Sequence, residues 1–315
     1  MIAIRRKCFR TGAGWRRRYN RFSLFADLAT AFMTTQRHRY DYPVQPDSAP
    51  ARVVRLTGRD KRVLELGSGP GAVTRLLKNN GCRVTALEID DQAIEIVREF
   101  CEEVHKCNLN DAEWSKVLAG SAPFDVIVAA DVFEHLYDPW TALARLPALL
   151  APGGCAVVSI PHAGHNAVIG CLASGDLEYQ PWGLLDKTHI RFFGIKNIQR
   201  LFDDAGLKIV EVEMVVKTPE QTEFARSWRT LPSELRAALA ATPFGTIYQV
   251  VVRAVPKLAP GVALNLADSP VPPPNSGTFS GPARRSRILG FAVSFLSLKT
   301  RSRIANALRR IGVKI

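Results

Sequence analysis

RVLELGSGPG, residues 62–71, joins a short apolar run to three glycines, Gly67, Gly69 and Gly71, spaced two apart. The apolar run reads as a buried strand. The glycines allow backbone amides to approach a ligand closely, and the helix that follows presents its positive N-terminus to the same point. Such a join points to a bound nucleotide. Taken alone it does not say which one, because GSGPGA also satisfies the G-x-G-x-x-G/A dinucleotide fingerprint, with an acid, Glu88, twenty-one residues after Gly67.

Outward from this stretch, between Lys61 and about Val255, short apolar runs alternate with helical periodicity. That alternation predicts a sheet covered by helices. Strands are expected at 62–66, 83–88, 103–107, 124–130, 154–160, 208–216 and 246–255, and helices near 72–79, 91–100, 138–150 and 196–205. Asp91 is expected to cap the second helix, Pro139 to open the third, and APGG at 151–154 to stop it. Seven strands with a late last one predict an α/β fold built on a doubly wound, mostly parallel seven-stranded sheet.

At 315 residues the chain can bury a sizeable core, and its formal charge is +13. The charge sits at the ends. Residues 1–40 and 284–315 are each net +9, and the body between them is acidic at −5. A mildly acidic body argues against a nucleic-acid partner, whereas the basic ends suit an anionic surface. The expected organisation is a basic extension over 1–45, a catalytic domain over 46–255, a Pro/Gly/Ser-rich linker over 256–283 and a basic amphipathic helical tail over 284–315. Six cysteines without a CxxC pair suggest free thiols in a reducing compartment. The longest apolar run near the end, LGFAVSFLSL at 289–298, is about half the roughly 18 to 20 residues a spanning helix needs. A cytoplasmic protein is expected, with the tail able to place it peripherally at the inner membrane surface. No oligomeric state follows from the sequence.

LELGSGPG, VTALEIDDQAI, CNLND and FDVIVAADVFEHLYDP, in this order and spacing, closely resemble class I S-adenosylmethionine-dependent methyltransferases. The resemblance implies S-adenosyl-L-methionine as cofactor. It assigns Glu65 to the methionine end, Gly67, Ser68, Gly69 and Gly71 to the cofactor loop, Glu88 to the ribose diol and Ile89 to apolar contact with adenine. Asn108 and Leu109 fall at the adenine edge, with Asn108 standing where the family usually has Asp. An amide can still accept a hydrogen bond from the adenine amino group.

The loop after the fourth strand carries Asp131, Glu134 and His135. In the family it lies beside the sulfonium, and His135 can take a proton near neutral pH. His135 is therefore a candidate base, with a loop-packing role as the alternative. Asp131 could touch the cofactor or hold the loop. An insertion of about thirty-five residues after the fifth strand, PHAGHNAVIGCLASGDLEYQPWGLLDKTHIRFFGIKN, is expected over the active-site edge. It carries His162, His165, Tyr179, Trp182, Asp186, Lys187, His189 and Arg191. Its second half resembles methyltransferases of bacterial cell-surface glycan and lipid-precursor pathways and, more loosely, those acting on quinone precursors. That resemblance makes Asp186, His189 and Arg191 a second catalytic or acceptor-binding set. The alternative is an Asp186–Arg191 salt bridge clamping a lid over His189. His162 and His165 could in principle join Asp131 or Glu134 in a metal site, but the ligands of the magnesium-dependent catechol enzymes are not evident and no metal is expected.

The expected function is methyl transfer from S-adenosylmethionine, as O-methylation of a small molecule or of a cell-surface glycan or lipid-linked precursor. A quinone-precursor O-methyltransferase is the alternative, followed by an NAD-dependent oxidoreductase and a silent binding protein that docks through its basic ends.

Overall fold

The computed structural model describes residues 45–121 and 123–274. Apart from residue 45, the basic extension at 1–45 lies outside them, as do the tail at 284–315 and the end of the expected linker. Helix α1 (Ala49–Thr57) precedes an alternating series: β1 (Arg62–Leu66), α2 (Ala72–Asn79), β2 (Arg83–Glu88), α3 (Asp91–Val97), β3 (Glu103–Lys106) and β4 (Phe124–Ala130). There follow α4 (Pro139–Ala144), β5 (Leu150–Pro161), α5 (Asn166–Ala173), α6 (Ile195–Asp204), β6 (Leu207–Val216), α7 (Ala225–Thr230), α8 (Ser233–Ala240) and β7 (Ile247–Pro256). The strands form one sheet in the order β3-β2-β1-β4-β5-β7-β6. β1 to β5 pair in parallel, and β7 is antiparallel to both its neighbours. This is the expected doubly wound, mostly parallel seven-stranded sheet.

The strands read as nearly unbroken apolar runs because both faces of the sheet are covered. Successive side chains alternate between two cores. Leu64, Leu66, Ile127, Ala129 and Val158 pack on one face with Leu143 of α4 and Ile198, Leu201 and Phe202 of α6. Val63, Val84, Val126, Val128 and Val157 pack on the other with Val53 of α1 and Val73 and Leu77 of α2. Strand order reverses between β1 and β4, so the loops leaving their carboxyl ends diverge to either side and leave a crevice.

The local expectations need four corrections. Asp90, not Asp91, caps α3, its carboxylate accepting from the amides of Gln92 and Ala93, while Asp91 pairs with Lys106. The helix expected over 91–100 ends at Val97, and the one expected over 138–150 ends at Ala144. Pro147 lacks the N–H that a continued helix would need, and the chain passes through a 3-10 turn at Leu146–Leu149. The APGG segment lies inside β5, opposite a shift of register between Phe124 and Val126.

Finally, the first part of the expected linker belongs to the domain. Lys257 N donates to Gly206 O, Leu264 N to Ile209 O and Leu266 N to the Gln199 side chain. Leu266 has no exposed surface and joins the core beside α6. Irregular spacing of the anchors hides this packing from any periodic reading. Among the described residues no helix is long and apolar enough to cross a membrane.

Leu266→Ala should lower the free energy of unfolding by about 2–5 kcal/mol, the usual cost of emptying a closed aliphatic site. Denaturant unfolding of the two proteins measures it, and a change below about 0.5 kcal/mol would mean that the segment does not stay docked.

Candidate active site

The glycine turn starts where β1 ends, and the Gly67 and Ser68 amides donate to Leu87 O at 2.8 and 3.2 Å, laying the turn along β2. Gly67 has φ 62°, and a Cβ there would stand 3.0 Å from the Val132 side chain. Gly69 has φ 53° and open space where a Cβ would point. The first glycine thus lets the β4 loop close against the turn, and the second leaves room for a ligand. Gly71 is the N-cap residue of α2, and the neighbouring Ser68 is buried.

Glu88, at the end of β2, is the hub of the turn. One carboxylate oxygen accepts from Gly69 N at 2.7 Å, and the other accepts from Ile89 N and Asp90 N at 2.8 and 2.9 Å. Ile89 next to it is exposed. Glu65, on β1, is 2% exposed and accepts from Thr74 Oγ1 at 2.7 Å. Burial pushes its carboxyl up to about 8; the Thr74 bond opposes the shift and the charge of Glu88 adds to it.

Asn108 uses its amide on its own turn, accepting from Asn110 N and donating to Asp111. Leu109 packs against the core. Asn110, which the sequence left without a role, accepts from Tyr137 N at 2.7 Å and ties this loop to the one after β4.

Asp131 takes a left-handed conformation, φ 56°, directly after β4. Its amide donates to Ser159 Oγ at 3.1 Å, and its carboxylate accepts from Ser159 Oγ at 2.6 Å and from the Gln249 side chain. These bonds to β5 and β7 hold a left-handed backbone geometry that is uncommon outside glycine and that Asp tolerates better than most residues. Three residues on, a 3-10 turn at Phe133–His135 buries Phe133 in the core and with it Glu134, which has no exposed surface. Neither carboxylate oxygen of Glu134 meets a hydrogen-bond donor. Burial, with the nearby charges of Asp131 and Asp186, pushes this carboxyl well above the usual carboxylate range.

The insertion after β5 does lie over this edge. The amides of Ile190 and Arg191 donate to Glu134 O at 2.9 and 3.0 Å, stitching it to the β4 loop. That contact brings His135 and His189 together, with ring centroids 4.8 Å apart and planes at 71°. Their Nε2 atoms stand 4.0 and 3.9 Å from Glu134 Oε1. Nδ1 of His135 donates to Thr188 O, and Nδ1 of His189 to Leu184 O, both at 3.2 Å. A carbonyl can only accept, so each Nδ1 carries a proton and each Nε2 faces the carboxylate.

Asp186 reaches this group through Thr188, accepting from its hydroxyl and its amide at 2.8 Å. The Thr188 hydroxyl in turn lies 3.2 Å from His135 Nδ1. Asp186 thus holds Thr188 against the His135 ring. Arg191 does not form the alternative clamp with Asp186; it donates to Tyr137 O and stacks over Trp140 at 5.5 Å.

His162 and His165 do not approach the cluster as ligands. His162 Nδ1 donates to Ile247 O, while His165 donates to Lys217 O and accepts from Ala167 N. Burial lowers the pKa of both, that of His165 to about 4. Beneath the insertion lies Glu223, which sequence reasoning missed. It accepts from Leu184 N at 2.7 Å and from the Tyr248 hydroxyl, and so supports the segment that orients His189.

A family model described as a methyltransferase domain matches residues 36–212, more than half of the chain. Curated relatives named ubiquinone biosynthesis O-methyltransferase, from Coxiella burnetii and Nitrosospira multiformis, are 23% and 29% identical over 173 and 168 residues. The alignments cover 54% and 51% of this chain and 73% and 67% of those proteins. A solved structure of magnesium protoporphyrin IX methyltransferase from Synechocystis PCC 6803 with bound SAH is 14% identical, with TM-score 0.47, covering 75% of this chain and 99% of that one. The family match runs from before β1 into β6, across both loops that border the crevice, and it removes the nicotinamide alternative that glycine spacing left open. This chain belongs to the methyltransferase-domain family and is a class I S-adenosylmethionine-dependent methyltransferase.

Proposed function

We propose that the chain methylates a hydroxyl oxygen of a small polar acceptor, either a free small molecule or a cell-surface glycan or lipid-linked precursor. The observation that carries this reading is the convergence of Glu134, His135 and His189 at the loop after β4, whose Val132 meets Gly67 of the glycine turn. The acceptor oxygen attacks the methyl carbon as the carbon–sulfur bond breaks, and sulfur leaves as a neutral thioether with the bonding electron pair. A leaving group of this kind needs little help. What remains is to line up the oxygen and ease the loss of its proton, and the cluster supplies polar groups placed for both.

In this reading Glu65 receives the cofactor's ammonium group and Glu88 its ribose hydroxyls. Gly67, Ser68, Gly69 and Gly71 border the methionine end, Ile89, Asn108 and Leu109 the adenine, and Asp131 braces the loop between cofactor and acceptor. The basic, helically periodic stretch at 284–315 supports an acceptor held at an anionic membrane surface. A second reading, the phenolic hydroxyl of a quinone precursor, is favoured by the names of the curated relatives.

Comparing glycans and lipids from cells with and without the protein by mass spectrometry should reveal a species lacking one methyl group when the protein is absent. Methylated protein or nucleic acid in its place would overturn the acceptor class. With that acceptor, His135→Ala and His189→Ala should each keep affinity for S-adenosylmethionine, while at least one loses on the order of 10² in turnover. Normal turnover in both would remove the cluster from the reaction.

Glu65 has a consequence for cofactor binding. With a pKa of about 8 its carboxyl is mostly protonated at neutral pH, and an incoming ammonium group favours the carboxylate. Binding should therefore release a proton, and affinity should rise with pH between about 6 and 8. Calorimetry at about pH 7 in buffers of different ionisation enthalpy reads this directly. The heat should vary with the buffer for the natural protein and much less for Glu65→Gln, and identical behaviour of the two would remove Glu65 from the ammonium site.

A further inference from the structure

We propose that Glu134, His135 and His189 hold a divalent transition-metal cation through one carboxylate oxygen and the two imidazole Nε2 atoms. The three donor atoms lie within 4.8 Å of one another, and the two measured nitrogen–oxygen separations are 4.0 and 3.9 Å. Ligands about 2.1 Å from a tetrahedral ion stand about 3.4 Å apart, so the two nitrogen–oxygen pairs must close by roughly half an ångström and the widest pair by up to about 1.4 Å. The backbone that carries the groups is already joined across the cluster by the Glu134 carbonyl, so side-chain rotation alone has to bring the ligand atoms together.

The carboxylate makes the argument independent of the histidines. Glu134 is fully buried, and both its oxygens lack a donor in a region where other polar groups are satisfied. A buried acceptor without a partner is costly. Facing it are two rings whose protons are committed on the far side, to Thr188 O and Leu184 O. Three potential ligand atoms thus face one place, where a proton or a cation makes the arrangement favourable. The Nδ1 bonds to carbonyls are also the outer contacts that metal-ligating histidines ordinarily make.

Two imidazoles and one carboxylate suit Zn²⁺, Fe²⁺, Mn²⁺ or Co²⁺ better than the hard ions Mg²⁺ and Ca²⁺, which favour all-oxygen sites. Three protein ligands leave positions open. For this methyltransferase, the acceptor oxygen would fill one of them, and the cation would lower the pKa of the hydroxyl and fix its direction, with the proton leaving to solvent. Only that last role rests on the function proposed above; the site itself rests on the geometry.

The test uses chelator-treated, tag-free full-length protein, titrated with MnCl₂ by electron paramagnetic resonance and with CoCl₂ by visible absorption. One saturable ion per chain is expected. Glu134→Gln and His189→Gln should each weaken uptake about a hundredfold, and Thr188→Val, which loosens His135, about tenfold. S-adenosylmethionine affinity, measured on the same samples, should stay within a few-fold throughout and shows that the variants are folded. Absence of saturable uptake, or uptake by Glu134→Gln and His189→Gln equal to that of the natural protein, overturns the site. A chain that binds S-adenosylmethionine but no cation leaves the methyltransferase and removes the metal, and a chain that binds the cation but not S-adenosylmethionine does the reverse.

Discussion

The parallel pairing of β1 with β4 is the constraint on which the rest depends. Each parallel strand needs a crossover to its next neighbour, and at this pair the crossovers run in opposite directions. No helix can then cover the space above the two carboxyl ends. Both loops that carry polar chemistry, 67–71 and 131–135, leave the sheet there and meet through Gly67 and Val132. A chain with the same loops on distant strands would have no common crevice.

Two carboxylates are buried at this edge, and they are handled differently. Glu65 keeps one neutral partner, the Thr74 hydroxyl, whereas Glu134 keeps none. Burying an acid without compensation costs several kcal/mol and usually ends in protonation or in recruitment of a cation. The fold accepts that cost because Phe133, one residue earlier, is drawn fully into the core, and the Asp131 geometry ahead of it is pinned by Ser159 and Gln249. Stability from packing and from those bonds is spent on holding an unfavourable acid in place, the pattern expected of a working site.

The insertion after β5 acts as a part of the site more than as a cover. Its backbone closes on Glu134 O, its Thr188 and Leu184 carbonyls aim the two imidazoles, and Glu223 supports it from the β6–β7 connection. Removing it would leave one histidine where the structure has two.

Alternating apolar runs and the glycine turn determined the strands to within a few residues and the two-layered α/β class, because burial on both faces of a parallel sheet imprints itself on local composition. The motif set also pointed to the family, and it is that resemblance which singles out the acids Glu65 and Glu88 at the ends of two adjacent strands. Helix ends at Asp90 and Pro147 were legible in principle, since caps and proline act locally. Tertiary structure alone decided that Leu266 anchors an apparently linker-like segment, that His162 and His165 serve the backbone, and that Arg191 turns to Trp140 and away from Asp186. It alone brought His189 to His135 across more than fifty residues of chain and showed Glu134 buried without a donor. Sequence carries periodicity and local capping because these act over a few residues, whereas desolvation and convergence depend on which distant segments the sheet edge happens to gather.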